Sequence, residues 1–226
     1  MDARPFVLLS CAASIDGCLD DTSPRRLVLS NEADLDRVDA VRAGSDAILV
    51  GAGTVRSDRP RLLVRSERRQ EERRARGLPP SPLKVTLTSS GALDAANPFF
   101  TAGEGEKIVY CARPAVAVAR ARLGSVATVV DAGDPVDVRT LLSDLHARGV
   151  RRLMVEGGAS VHAAFLGAGL VDELHLAIAP LVVGEAGAPR LFGEGRLPPD
   201  RGRALLAEVR QLGDVVLLCY RFPSSP

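Results

Sequence analysis

Two places in this 226-residue chain join an apolar run to a glycine-containing turn and then to a helix-like segment. The first is residues 47–50 followed by 51–54, and the second is residues 151–156 followed by 157–160. A short apolar run that ends in glycine and continues as a helix is typical of α/β folds. We therefore expect an α/β fold in which at least two strands are each followed directly by a helix.

Glycine turns of this kind also favour ligand binding, because a ligand can approach their backbone closely and the next helix offers free N–H groups to phosphate oxygens. The residues concerned are Gly51, Gly53 and Thr54 in the first turn and Gly157, Gly158, Ala159 and Ser160 in the second. Neither turn is a G-x-G-x-x-G fingerprint. In the first turn position 56 is Arg, and in the second turn position 159 is Ala. One such turn is more typical of a simple tight connection, but with two in one chain a phosphate-bearing or dinucleotide ligand fits the pattern as well as two tight connections do.

The remaining elements follow from apolar spacing and turn residues. A buried strand is predicted over residues 6–13, and a helix begins near Ser30 and stops at Gly44. Strands are predicted at residues 83–87, 107–111, 127–130 and 172–180, helices at 137–148 and 161–166, and a C-terminal hairpin at 209–222. Since we find no internal repeat and no low-complexity linker, we expect a single domain over residues 1–226.

One segment does not fit this regular alternation. Residues 65–76 carry six Arg and three Glu, with Ala75 as their single aliphatic residue, and a Pro-rich stretch follows. Such a charge run is usually solvated. We therefore expect residues 65–82 to form an exposed excursion, with a short solvated helix at most.

Composition argues against several classes of partner. The 29 Lys and Arg against 28 Asp and Glu give a net charge of +1, and aromatic residues make up 4% with no Trp. Nucleic acid and anionic membranes need a basic surface, and base stacking needs aromatic side chains. The apolar run before Asp16 is also too short for a membrane span or a secretion signal. We expect a cytoplasmic protein with no nucleic-acid and no membrane partner.

The cysteines and histidines give no metal site. Four cysteines are scattered without a C-x-x-C pair, which fits reduced intracellular thiols better than zinc ligands or disulfides. His146, His162 and His175 each lack a second ligand three or four residues away. We expect the three histidines to lie at the surface or to have their hydrogen bonds satisfied.

Polar residues at predicted strand ends are the candidates for substrate contact, since ligands of open α/β sheets bind beyond the carboxyl ends of the strands. Ser14 and Asp16 follow the first strand, Asp58 follows the first glycine turn, and Glu156 stands at the second. Asp16 and Asp58 also fit ordinary turn positions. Glu156 is harder to explain structurally, because it ends an apolar strand and two residues without side chains follow it.

Four motifs, in this order along the chain, resemble one family. They are residues 13–17, residues 46–55 with Asp58 and Pro60, residues 155–158, and residues 171–174 with Ala179 and Pro180. The chain resembles the pyrimidine reductases of riboflavin biosynthesis, including the reductase half of the bifunctional deaminase–reductase, from about Pro5 to Phe222. The resemblance implies a dihydrofolate-reductase-like α/β fold, with a mostly parallel central sheet, flanking helices and a C-terminal antiparallel hairpin.

The resemblance also implies an activity. Such reductases pair as homodimers and use NADPH to reduce the ribosyl group of a phosphorylated aminopyrimidine by hydride transfer to the sugar C1. Gly51, Gly53 and Thr54 would lie along the nicotinamide side of the cofactor, and Gly157 and Gly158 would receive its pyrophosphate. The positions that would face the substrate or the nicotinamide are Ser14, Asp16, Ser30, Asp58 and Glu156. Asp16 or Asp58 could relay the proton, with water as the alternative.

The chain departs from the family pattern at several points, and three of them bear on the substrate and the cofactor. Arg59 stands where a second acid precedes Pro60, Ser10 stands where members carry Lys or Asn, and Ser90 stands where a cation would suit the 2′-phosphate of NADPH. Ser89 matches the pattern and is a candidate cofactor ligand. The expected cofactor is NADPH, with NADH left open. Arg59 becomes a candidate substrate contact whose charge is opposite to that of the acid in the family pattern.

These departures leave alternatives open. We expect no deaminase activity, because the H-x-E and P-C-x-x-C zinc motifs are missing from the chain. The first expectation is a stand-alone reductase of the riboflavin-pathway pyrimidine. A same-fold reductase of a different heterocycle or imine is the first alternative, and a non-catalytic nucleotide-binding regulatory domain is the second.

Overall fold

The computed structural model of the chain describes residues 3–23, 25–191 and 203–223. Their strands are β1 (Phe6–Ala13), β2 (Ala47–Gly51), β3 (Leu83–Thr88), β4 (Lys107–Cys111), β5 (Thr128–Asp131), β6 (Arg152–Gly157), β7 (Glu173–Ile178), β8 (Leu205–Leu212) and β9 (Val215–Arg221). Their α-helices are α1 (Glu32–Ala43), α2 (Ala52–Asp58), α3 (Glu67–Ala75), α4 (Pro98–Thr101), α5 (Val116–Leu123), α6 (Val138–Ala147) and α7 (Ala159–Ala168). The chain forms two compact units, one of residues 3–6 and 39–154 and one of the described residues in 7–38 and 155–223.

The first unit contains four parallel strands in the order β5-β4-β3-β2. Gly51 pairs with Leu87, and Thr88 pairs with Cys111, so the glycine turn after β2 lies at the same edge as the ends of β3 and β4. Strand β2 is buried throughout, as a strand of a covered parallel sheet should be. The apolar core of this unit includes Ile48, Val50, Val55, Leu62, Leu93, Phe99, Phe100, Val109 and Leu123.

The second unit contains the strand order β1-β7-β9-β8. Strands β1 and β7 are parallel, whereas β9 is antiparallel to both β7 and β8, and β8 and β9 form a hairpin. Strand β6 runs from the first unit into the second, with the division between Met154 and Val155. The expected α/β class, mostly parallel with a C-terminal antiparallel hairpin, is confirmed.

The Arg-rich segment forms the short helix that was expected, α3, but the expectation of full exposure is wrong at Arg73. This side chain is 3% exposed. Its guanidinium donates to the carbonyl oxygens of Ala43 at 2.8 Å, Ser45 at 2.9 Å and Pro79 at 2.8 Å. The nearby Arg69 bonds Asp39 at 2.9 Å. Arginine can enter the interior here because its planar group satisfies several carbonyls that end a helix and a turn.

None of the helices described in residues 3–23, 25–191 and 203–223 has the length and apolar character needed to span a bilayer.

Candidate functional site

The glycine turn of the first unit has an open backbone. Gly51 caps α2 without a side-chain hydrogen bond, and it is buried. Gly53 is exposed, and a Cβ built there would meet no atom within 4 Å. Thr54 is half-buried beside it. A ligand could therefore lie directly against the backbone of residues 51–54.

Asp58 and Arg59 end the same short helix. Asp58 is half-buried and accepts a hydrogen bond from the Ser57 hydroxyl. Arg59 is the C-cap of α2 in the left-handed region, at φ 47° and ψ 50°, and its side chain is exposed. Asp and Asn tolerate this conformation better than Arg does. Arg at position 59 therefore carries a backbone cost that Asp or Asn would reduce.

Ser89 lies in the loop that follows β3. Both Ser89 and Ser90 are exposed, and the Gly91 amide donates to the Thr88 hydroxyl at 3.1 Å. Gly91 has φ 67°, and a Cβ there would come within 2.9 Å of the Ala119 Cβ. The loop therefore presents two hydroxyls to solvent on a backbone that is tightly packed beneath them.

In the second unit, Ser14 and Asp16 form one hydrogen-bonded cluster at the end of β1. The buried Ser14 hydroxyl donates to Asp16 Oδ1 at 2.6 Å and accepts from the Cys18 amide at 2.9 Å. Asp16 Oδ1 also accepts from the Val183 amide at 3.0 Å, and Oδ2 accepts from the Gly184 amide at 2.9 Å. The carboxylate thus ties the turn after β1 to the chain that follows β7.

These hydrogen bonds set the charge of Asp16. The hydroxyl of Ser14, followed by the amides of Gly184 and Val183, holds the pKa of the Asp16 carboxyl well below its usual range. The group is ionised at neutral pH. It can act as an electrostatic or accepting group there, but it carries no proton to donate.

Ser30 is half-buried and immediately precedes the cap of α1. The expected helix start is confirmed, with Asn31 Oδ1 accepting from the Asp34 amide at 2.9 Å. Asn31 also donates to the Leu212 carbonyl and to Asp214, both at 2.6 Å. The residue after Ser30 therefore ties the start of α1 to the turn of the β8–β9 hairpin.

Glu156 and the double glycine lie at the end of β6. Glu156 is half-buried, Gly157 is buried at φ 130°, and the peptide between Gly157 and Gly158 is cis. Gly158 caps α7 without a side-chain hydrogen bond, and Ala159 and Ser160 form the first turn. The first amides of a helix have no acceptor within the helix. They are available to an anion, because no side chain caps them.

His162 corrects an expectation, since it lies neither at the surface nor in a satisfied hydrogen-bond network. It is 1% exposed, and neither ring nitrogen meets a partner in hydrogen-bond geometry. Burial lowers the pKa of the imidazole to about 4, while the backbone of Val155 opposes the shift. A Cβ on Gly157 would lie 3.6 Å from Cε1 of this ring. A neutral imidazole therefore lies alongside the double-glycine turn.

A buried polar cluster around Arg37 was not predicted from the sequence. Arg37 is buried, with its Nε 2.7 Å from Asp34 Oδ1, and it reaches Ser10 Oγ at 3.5 Å and His175 Nδ1 at 3.3 Å. His175 Nε2 in turn lies 2.6 Å from Glu173 Oε1. The position of Ser10 beside a guanidinium could not be read from helix spacing, because that contact joins residues 27 positions apart.

Within each unit the candidates thus fall into small groups. In the first unit, Gly51, Gly53, Thr54, Asp58 and Arg59 share one turn and helix, with Ser89 on the next strand. In the second, Ser14 bonds Asp16, and Glu156 is continuous with Gly157, Gly158, Ala159 and Ser160. Among the described residues, no group of three His, Cys, Asp or Glu could hold a metal ion.

Comparison with known proteins identifies the family. The profile of the RibD C-terminal domain matches residues 5–218. The chain belongs to this family. The match runs through both compact units and includes every candidate residue named above.

Two archaeal relatives share one name, and each aligns with this chain over most of its length. The 2,5-diamino-6-ribosylamino-4(3H)-pyrimidinone 5′-phosphate reductase of Archaeoglobus fulgidus is 36% identical, over 97% of this chain and 99% of the relative. The namesake from Methanothermobacter thermautotrophicus is also 36% identical, over 85% of this chain and 86% of the relative. The Bacillus amyloliquefaciens riboflavin biosynthesis protein RibD is 33% identical, and the chain spans 56% of its length.

Solved structures share the fold. A pyrimidine reductase-like protein from Corynebacterium diphtheriae superposes with a TM-score of 0.80 at 23% identity, covering 98% of this chain and 93% of that one. The bifunctional deaminase and 5-amino-6-(5-phosphoribosylamino)uracil reductase of Thermotoga maritima superposes at 0.79 and 23% identity. The chain spans 57% of that longer protein. The expected fold of the RibD reductases is therefore confirmed.

Proposed function

We propose that the chain is a reductase of the riboflavin pathway that converts 2,5-diamino-6-ribosylamino-4(3H)-pyrimidinone 5′-phosphate to its ribityl form with NADPH. The observation that carries this proposal is the 36% identity to a reductase of that name over 97% of this chain and 99% of the relative. Such coverage favours one activity for the whole of residues 1–226, with both compact units serving it.

The residues present fit a dinucleotide cofactor. Ser66, Asn97 and Asp137 cap their helices with side-chain hydrogen bonds. Gly51 and Gly158 cap theirs with none. We propose Gly51, Gly53, Thr54 and Ser89 as the cofactor-binding residues of the first unit. For the second unit we propose Gly157, Gly158, Ala159 and Ser160. A bound nicotinamide supplies the hydride; the protein supplies orientation and charge.

In the proposed reaction C1 of the ring-opened sugar, presented as the C1=N imine, gains a hydride, and the imine nitrogen takes up one proton. Glu156 would accept hydrogen bonds from sugar hydroxyls and fix C1, while Ser14, Ser30 and Arg59 would contact the rest of the substrate. Asp16 is ionised and bonded to two backbone amides, so its role would be electrostatic. Asp58 or water would then deliver the proton.

The proposed enzyme is a homodimer, and one sheet face supports this. In the β8–β9 hairpin, Leu206 pairs with Tyr220 and Val209 with Leu218, so these apolar side chains share a face with Val216. Leu206 is 55% exposed, Val209 58% and Val216 39%. An exposed apolar sheet face of this kind typically marks an association surface. We propose that a second copy covers it, and light scattering of the purified protein would give the mass.

We place the reaction in the cytoplasm. Cys11, Cys18, Cys111 and Cys219 are all buried free thiols, as is usual for proteins of reducing compartments.

The test is a reductase assay with matched variants. NADPH oxidation is followed with the diaminopyrimidinone substrate and, separately, with 5-amino-6-(5-phosphoribosylamino)uracil. Glu156→Gln should lower kcat at least about 100-fold with nearly unchanged folding, because the carboxylate is replaced by its neutral isostere. Glu106→Gln, an exposed position before β4, is the control. Unchanged turnover in Glu156→Gln would remove Glu156 from the substrate site, and no turnover of either pyrimidine by the wild type would refute the proposal.

The second candidate, a reductase of another heterocycle or imine, rests on Arg59. Its left-handed backbone is better suited to Asp, so Arg59→Asp should fold at least as stably as the wild type. If this variant gains activity on the riboflavin precursor, the natural substrate is a different compound. If it loses activity, Arg59 serves the riboflavin-pathway substrate.

A further inference from the structure

Of the four buried residues of α7, three are apolar and one is a histidine. They are Val161, His162, Phe165 and Leu166. His162 is 1% exposed, and neither of its ring nitrogens meets a partner in hydrogen-bond geometry. A buried polar atom without a partner destabilises the folded state, and a leucine would fill this position without that cost. Packing alone therefore does not account for a histidine here.

The ring of His162 lies against the end of β6. Long side chains of a helix lean toward its N-terminus, and in α7 this direction leads back to the double-glycine turn. A Cβ on Gly157 would lie 3.6 Å from Cε1 and 3.8 Å from Nε2 of the ring. The Val155 backbone also acts on the ring, since it opposes the lowering of the imidazole pKa by burial. The ring thus meets the residues on both sides of Glu156.

Glu156 itself points away from this ring. Side chains alternate between the two faces of a strand, so positions 155 and 157 share one face of β6 and the Glu156 side chain lies on the other. Val155 and Gly157 are buried, whereas Glu156 is half-buried. His162 therefore supports the backbone of Glu156 from the face opposite the one where its carboxylate would meet a substrate. All four residues belong to the second compact unit.

The unpartnered nitrogens of His162 are typical of a group that acts in a substrate complex. Hydrogen bonds that serve catalysis are often long or poorly aligned in the free enzyme and shorten when the substrate binds. A neutral imidazole has one N–H, and the Val155 carbonyl is an acceptor that already influences the ring. Gly157 has no Cβ between its backbone and the ring, so the end of β6 can move toward the imidazole without a steric clash. A small movement of the strand end would complete this hydrogen bond.

We propose that His162 is a positioning residue for Glu156. Its ring N–H donates to the Val155 carbonyl when the substrate engages Glu156, and this hydrogen bond fixes the end of β6 and the direction of the carboxylate. His162 does not touch the substrate and acts through Glu156. The inference rests on the proposed function, in which Glu156 accepts hydrogen bonds from the sugar hydroxyls, and adds the residue that holds Glu156 in place.

The test compares turnover with stability in three variants of the full chain. NADPH oxidation with the diaminopyrimidinone substrate gives kcat and KM, and urea unfolding at pH 7 gives the stability. His162→Leu should lower kcat about tenfold with little change in KM, because Glu156 is present but less well oriented. Its stability should equal or exceed that of the wild type. His162→Gln and His162→Asn carry an amide nitrogen near the places of Nε2 and Nδ1, so one of them should keep kcat within about threefold of the wild type.

A double-mutant cycle tests whether His162 acts through Glu156. Adding His162→Leu to Glu156→Gln should change kcat by less than about twofold, because the carboxylate that the ring positions is already gone. Two independent losses would multiply instead. Phe165→Leu, on the same buried face of α7, is the control for packing. It should lower the stability to urea and leave kcat unchanged, which is the opposite of the result expected for His162→Leu.

The outcomes separate this inference from the proposed function. Unchanged kcat in His162→Leu, an equal loss of kcat in all three His162 variants, or multiplying losses in the double variant overturns the inference while the reductase assay succeeds. A fall in stability that accompanies the loss of kcat in His162→Leu also overturns it, because the ring would then serve the fold. If the wild type reduces neither pyrimidine, the proposed function fails, and the inference fails with it because Glu156 then has no substrate to hold.

Discussion

His162 offers the sharpest test of the structure, because a neutral imidazole is buried beside the double-glycine turn. Burial lowers the pKa of this imidazole to about 4 from its ordinary value of 6.5. The unfolded chain therefore binds a proton at a higher pH than the folded chain does. Stability from this group is fully present above pH 6.5 and is lost as the pH falls toward 4.

The size of the loss follows from the two pKa values. A tenfold change in proton affinity corresponds to about 1.4 kcal/mol, so a fall from 6.5 to about 4 corresponds to about 3 kcal/mol in full. Between pH 7 and pH 5 the linkage relation gives a loss of about 2 kcal/mol. Because carboxylates also titrate there, the quantity to compare is the difference between the wild type and His162→Leu.

The assay is urea unfolding at pH 7, 6 and 5, with NMR titration of the three histidines. The His162→Leu chain should be as stable as the wild type or more so at pH 7, since two ring nitrogens without hydrogen-bond partners are replaced by carbon. It should also lack the acid-dependent loss. His146→Leu is the matched control and should keep it. Parallel stability curves for the wild type and His162→Leu would refute the reasoning, as would a His162 pKa near 6.5 in the folded protein.

Three further changes test single charged side chains. Burial lowers the pKa of Lys84 to about 8 from 10.5, so the unfolding free energy of the wild type should rise relative to Lys84→Met by about 1 kcal/mol between pH 7 and 9. Lys107→Met keeps Lys84 and, as the control, should show the same rise relative to Lys84→Met. Arg73→Met should cost about 2–4 kcal/mol in urea unfolding because three carbonyls lose their donor, whereas the exposed Arg74→Met should cost little. Asp16→Asn should speed hydrogen exchange at the two amides that the carboxylate binds, and unchanged protection would show that those hydrogen bonds do not hold the segment.

Much of the fold was predictable because its strands are short apolar runs with clear turn residues. Strands β1 and β4 have the predicted bounds, and α1 begins after the predicted cap. The helix α7, Ala159–Ala168, starts two residues earlier than predicted because Gly158 itself is the cap. Turn chemistry therefore located the elements, and the cap geometry that fixes their ends had to come from the structure.

Helix α5 shows where the pattern fails. In Val116–Leu123 alanine occupies every second position over most of the segment, and a period of two residues is that of a strand. The segment is a helix all the same, opened by Pro114 in a 3₁₀ turn and packed through Val116, Ala119 and Leu123. Alanine and arginine are strong helix formers, and here their propensity prevails over the alternation.

The candidate site was predictable as a set of positions but not as a set of roles. The two glycine junctions were found because glycine followed by a helix has a local sequence signature. Arg73 and His162 were misjudged, since an Arg-rich run and a lone histidine look alike whether exposed or buried. Their burial depends on carbonyls and glycines that lie elsewhere in the fold, and no local spacing encodes those contacts.

Local spacing also does not show which aspartates bind distant backbone amides. This matters for the choice of proton donor in the proposed reaction. Asp46 accepts from the amides of Arg151 and Arg152, each at 2.8 Å, and Asp172 accepts from the Val7 amide at 2.7 Å. Asp16 belongs with these, because two backbone amides and one hydroxyl hold its carboxylate ionised. A carboxylate bound by amides stabilises a junction and cannot release a proton at neutral pH. The proton of the proposed reduction should therefore come ultimately from water, with Asp58 as the remaining candidate to relay it, so that Asp58→Asn should lower kcat more than Asp16→Asn does.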